Sequence, residues 1–81
     1  MRLPRDVSGD ELARKLEKYG YRITRQTGSH LRLTTLTNGE YHITISVHEE
    51  LRVGLLNAIV SDVADHLGIS REELTEGLFG K

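Results

Sequence analysis

Residues 21–48 read YRITRQTGSHLRLTTLTNGEYHITISVH, and two turn signals divide them into three short runs of alternating side chains. Tyr21-Arg22-Ile23-Thr24-Arg25-Gln26 alternates, and Thr27-Gly28 closes a hairpin because glycine takes a positive φ at no steric cost. In His30-Leu31-Arg32-Leu33-Thr34 the leucines share one face, which leaves His30, Arg32 and Thr34 on the other. Asn38-Gly39 is the strongest short hairpin signal available to L-residues. Beyond it Tyr41, Ile43, Ile45 and Val47 alternate with His42, Thr44, Ser46 and His48. Short connections make these runs an antiparallel three-stranded meander with one apolar and one polar face.

The apolar face needs a cover, and the flanking segments supply it. Ser8-Gly9-Asp10-Glu11 fits a capping box, with Val7 and Leu12 placed as a hydrophobic staple. Leu12, Leu16 and Tyr19 recur at helical spacing, and Gly20 provides a left-handed stop, so a helix is predicted over 8–19. A second helix is predicted from Val53 to Leu67, where Leu55, Leu56, Ile59, Val60, Val63, Ala64 and Leu67 cover a wide arc. Gly68 ends it. Ser70-Arg71-Glu72-Glu73 is a second capping box, opening a short last helix that ends near Gly77. The expected fold class is α+β, in the order α-β-β-β-α. Two helices pack on one face of a three-stranded antiparallel sheet, a short C-terminal helix follows, and residues 1–81 form a single domain.

Composition narrows the function classes. With no cysteine, disulfides and thiolate metal sites are excluded. No apolar run approaches membrane-spanning length and MRLPRDVSGDE offers no signal-peptide stretch, so a cytoplasmic location without membrane contact is expected. The net charge of −1 conceals an asymmetry. Residues 1–32 hold eight Lys/Arg against four Asp/Glu, a balance of +4, whereas residues 33–81 hold three against eight, −5. A basic half attracts phosphate, and an acidic half repels it or docks a basic partner.

Strand parity puts His30 on the polar face, beside a hairpin that carries Arg25 and Gln26. Histidine exchanges protons near neutral pH, and arginines hold phosphodiesters, so the combination suits acid/base cleavage of RNA. Spacing alone leaves His30 open between that role and a plain surface residue. His30, His42 and His48 share a face, but zinc needs three or four converging ligands and only Glu40 and Glu49 stand at its ends; no metal is expected. His66 suits the C-terminal end of the core helix, where the dipole favours positive charge. Gly28 reads as a turn residue, since no GxxxxGK[ST] loop is present.

Four stretches carry a family resemblance: LPRDVSGDELARKLEKYGY (3–21), RQTGSH (25–30), Val47-His48, and LGISREEL (67–74). Together they resemble the HicA toxins of toxin–antitoxin pairs, small RNA-cleaving proteins with a double-stranded-RNA-binding-domain-like fold. The resemblance implies a metal-independent endoribonuclease acting on mRNA, with no cofactor and with a HicB-like antitoxin as protein partner. It places catalysis on His30, with Arg25, Gln26, Gly28 and Ser29 in the surrounding motif. Arg22, Arg25 and Arg32 are then expected on RNA phosphate with Gln26 and Ser29, and His48 or His42 is a candidate second proton-transfer group. The slightly acidic balance, and the single Arg52 where family members carry a lysine-rich run, favour an alternative: an RNA-binding or protein-interaction module with weak or lost cleavage.

Overall fold

Helix α1 (Gly9–Leu16) begins where the Ser8 hydroxyl accepts the Glu11 backbone N–H at 3.1 Å, in a computed structural model that describes residues 3–47 and 51–80. Val7 and Leu12 are both buried, as a staple requires, and Asp10 pairs with Arg14 at 2.6 Å on the wet side. The helix tightens into a single 3-10 turn, Glu17–Tyr19, before Gly20 at φ 89° turns the chain into the sheet. Strands β1 (Tyr21–Thr27), β2 (His30–Thr35) and β3 (Tyr41–Ser46) lie in the order β1-β2-β3, each antiparallel to its neighbour. Helices α2 (Val53–Leu67) and α3 (Arg71–Phe79) follow.

One cluster holds the core. Leu12 and Leu16 from α1, Leu33 and Ile45 from the sheet, Leu56 and Val63 from α2 and Leu74 from α3 are all fully buried in it. Gly9 lies so close to the last turn of β3 that a methyl there would overlap the Ser46 carbonyl oxygen. The glycine of the opening capping box thus lets the start of α1 touch sheet backbone directly.

Three expectations change. The last helix does not end near Gly77, because Leu78 is buried one turn after Leu74 and carries the helix to Phe79. Gly77 is instead a contact: the Tyr19 hydroxyl occupies the space of its missing side chain, and the Lys18 ammonium donates to its carbonyl at 2.7 Å. Leu55 leaves the buried arc of α2 and is 50% exposed, since the buried stripe follows Leu56, Val60, Val63 and Ala64, and Leu55 lies about 100° off it. His66 does more than answer a helix dipole. Its Nε2 lies 2.9 Å from the Thr37 carbonyl and 3.0 Å from that of Gly39, its ring stacks on Tyr41, and Asn38 donates back to its carbonyl. The second hairpin is thereby tied to the end of α2. Asn38 and Gly39 both take positive φ, as the Asn-Gly signal requires.

Tyr21 is fully buried and its hydroxyl has no hydrogen-bond partner among the described residues. Burial first, then the nearby Asp62 carboxylate and Tyr41, push its pKa up to about 12. The folded state thus holds this proton more tightly than the unfolded chain. The associated stability is complete below about pH 10 and is lost as pH rises towards 12, an integrated loss of about 2–3 kcal/mol. Tyr21→Phe should abolish that alkaline loss and raise stability at pH 7 by about 1 kcal/mol, because an orphaned buried hydroxyl is removed. Urea unfolding at pH 7 and at pH 11 checks both signs; a Phe variant weaker at pH 7 would mean the hydroxyl is satisfied.

Candidate nucleic-acid interface

The helices cover one face of the sheet and leave the other open. Strict alternation along β1 would put Arg25 with Tyr21 and Ile23, on the covered side. The register shows otherwise. Ile23 pairs with Leu33, but Arg25 pairs with Arg32, so Thr24 is an extra residue in β1. Such a bulge places two consecutive side chains on one face and re-aims everything after it. Thr24 bonds Thr34 across the open face at 2.8 Å, and Arg25 joins it there.

Consequently Arg25 stands opposite Arg32, and Thr27 opposite His30. On β3, Thr44 pairs with Arg32 and Ser46 with His30. Arg25, Thr27, His30, Arg32 and Thr44 line a shallow pocket of about 220 Å³. Like charges directly across a strand pair repel each other, so the Arg25–Arg32 pair costs stability unless an anion lies between. Neither guanidinium has a carboxylate partner among the described residues, and the exposed His30 ring has no hydrogen bond there. Two guanidinium groups with no carboxylate partner among the described residues, flanking an accessible imidazole, can hold a phosphodiester and move a proton beside it.

The other expected site residues fall apart from this group. Gln26 pairs with Leu31, whose side chain is buried under the helices, so Gln26 projects from the opposite face. Ser29 sits in the hairpin turn with Gly28, and its carbonyl accepts the Val47 N–H at 2.7 Å. Arg22 shares the open face but pairs with Thr34, towards the far end of the sheet. His42 is also at that end. It pairs with Thr34, four residues from His30, hence about 13 Å away along β2. Its Nδ1 lies 2.7 Å from the Thr34 hydroxyl and its Nε2 3.0 Å from Glu40. One phosphate cannot touch both His30 and His42. His48, the other candidate for a second proton-transfer group, lies outside the described residues. Among the described residues no three His, Asp or Glu side chains converge as a metal set, and no helix is long and apolar enough to cross a membrane.

Thr27 and Thr44 line the pocket and were not singled out by sequence. Thr44 was within reach of simple alternation from His42; Thr27 was hidden because it reads as a turn residue. Charge is arranged to match. Within β1–β3 and their turns Arg22, Arg25 and Arg32 face one acid, Glu40, whereas α2 and α3 carry Asp62, Asp65, Glu72, Glu73 and Glu76 against Arg71. The helices lie behind the sheet, so among the described residues the sheet is net basic and α2 with α3 net acidic, while α1 and its 3-10 turn balance. The small net charge of the molecule says little about the sheet.

A family model described as HicA toxin of bacterial toxin-antitoxin matches residues 9–69, which take in α1, the whole sheet and α2. No curated protein and no solved structure matches the chain.

Proposed function

The chain belongs to the HicA toxin family, and from that premise we propose that it is an endoribonuclease that cleaves mRNA with His30 as its proton-transfer group. The observation that supports this reading most is the bulge at Thr24, which sets Arg25 across from Arg32 and beside His30. A phosphodiester lying between the two guanidinium groups relieves their repulsion and presents its neighbouring ribose to the imidazole. As a base, His30 takes the 2′-hydroxyl proton while that oxygen bonds to phosphorus and the 5′-oxygen leaves. In the other role, as an acid, it protonates the leaving 5′-oxygen while a second group takes the 2′-hydroxyl proton. Arg25 and Arg32 stabilise the charge that builds on the phosphoryl oxygens. The attacking and leaving oxygens lie on opposite sides of phosphorus, so a second proton-transfer group completes the reaction, and His48 is the candidate for it.

The acidity of α2 and α3 bears on orientation. Asp62, Asp65 and the glutamates of α3 repel a polyanion approaching the helices and leave the sheet as the face RNA meets. Membership of a toxin–antitoxin family implies an antitoxin partner. A HicB-like partner that covers the His30 face would block substrate entry without altering the enzyme.

Salt dependence tests the interface. Arg25→Ala and Arg32→Ala should each weaken binding of single-stranded RNA. Each should also lower the slope of log K against log salt by about 0.7, the value for one phosphate contact on a single strand. Gln26→Ala, on the other face, should leave the slope unchanged. Fluorescence anisotropy over a salt series provides the measurement. An unchanged slope in both arginine variants would remove RNA from this face.

A further inference from the structure

The polar row of β2 runs His30, Arg32, Thr34, and the next residue in the same phase is Leu36. An apolar side chain there breaks the pattern, and it is 77% exposed. It does not stand alone. Leu36 lines a second pocket of about 350 Å³ with Gly20, Arg22, Thr24, Thr34 and Thr37. That volume lies at the lower end of the range for sites that take a small organic ligand. The pocket opens on the same face as His30, centred near Thr34, about 13 Å along the strand.

We propose that this pocket holds one nucleobase of the same RNA strand whose scissile phosphate lies at His30. The proposal rests on the ribonuclease reading and adds to it a subsite for sequence preference. Leu36 and the threonine methyl groups offer apolar surface to the flat side of a base. Arg22 is the cation of the site; its guanidinium fits the acceptor edge of a purine, and guanine O6/N7 is its commonest bidentate target. The hydroxyls come already oriented. Thr24 lies 2.8 Å from Thr34, Thr34 2.7 Å from His42, and His42 3.0 Å from Glu40. This chain of hydrogen bonds fixes the pocket floor before any ligand arrives, so binding there needs little reordering. It also gives His42 and Glu40 a role that their distance from His30 denies them in proton transfer: they position Thr34 and Thr24. A strand of RNA leaving the His30 pocket along β2 passes over this second pocket, where Arg22 faces it.

Abasic scanning tests the idea. Single abasic nucleotides are placed at successive positions around a mapped cut in a short RNA, and kcat/KM is measured for wild type and for Leu36→Ser. Wild type should lose at least tenfold at one position set back from the cut and little at the others. Leu36→Ser should be slower on intact RNA and insensitive to the abasic nucleotide at that position, since the two changes remove the same contact. Leu36 is exposed, so its variant should keep the wild-type melting temperature; Arg22→Gln repeats the cycle through the polar edge. Equal sensitivity in wild type and both variants, or no sensitive position, overturns the subsite while leaving the ribonuclease standing, and returns the pocket to contact with a protein partner. A wild-type protein that neither binds nor cuts RNA overturns both readings.

Discussion

His30→Ala is expected to lower the rate of RNA cleavage by about 10²–10⁴-fold, the span general acid–base groups contribute, and to abolish growth arrest on expression. The side chain is exposed on the sheet and has no hydrogen bond among the described residues, so stability should move by no more than about 0.5 kcal/mol. Binding should survive, because the proposed reading gives the phosphate contacts to Arg25 and Arg32 rather than to the imidazole. This separation makes the experiment decisive. Loss of cleavage with retained affinity assigns His30 to the chemical step. Loss of both would make it a binding residue, and loss of neither would leave a fold that carries RNA without cutting it. Single-turnover cleavage of a labelled RNA, alongside anisotropy, reads the two quantities independently.

Gly9→Ala should cost more than about 3 kcal/mol, above the usual range for overpacking. Two effects compete. Alanine is the better helix former by about 0.5–1 kcal/mol, which taken alone predicts a gain. Against it, the new methyl would overlap the Ser46 carbonyl and crowd Ile45. The obstructing atoms are strand backbone, held by pairing with His30, and they cannot swing aside. The clash wins. At about 0.05–0.15 kcal/mol per residue the whole domain has only about 4–12 kcal/mol to lose. Moving Ser46 would also shift the strand that positions His30, so activity should fall further than the unfolded fraction explains. Gly54→Ala serves as the control, since a methyl there meets nothing within 4 Å. Urea midpoints of the two variants should move in opposite directions; a Gly9→Ala midpoint near wild type would mean that α1 and β3 are not in backbone contact.

Much of this architecture is legible in the chain because local signals agree with one another. Ser8 and Ser70 cap as their sequences announce, Asn38-Gly39 turns, and the α2 boundaries at Val53 and Leu67 follow from periodicity and Gly68. What stays hidden is whatever depends on pairing between segments. Nothing in YRITRQT marks Thr24 as an extra residue, because a bulge is a relation between two strands; only the partner's register reveals it. The same holds for Gln26, which the motif sets next to His30 in sequence and the sheet turns to the other side. Leu36 was overlooked for a different reason: it reads as loop, and its phase matters only once Thr35 is seen to be buried. The motif RQTGSH draws attention to one hairpin; which of its members point the same way is a property of the sheet.

The additional residue at Thr24 also divides the first strand into two stretches that answer to different demands. Before it, Tyr21 must match the packing under the helices; after it, Arg25 and Thr27 must match Arg32 and His30 across the turn. A single unbroken zigzag would couple the two, so that any drift in the upstream stretch would rotate the guanidinium away from its counterpart. With the offset in place, the orientation of the segment from Arg25 to His30 is set by its own hairpin pairing rather than by the phase of Tyr21.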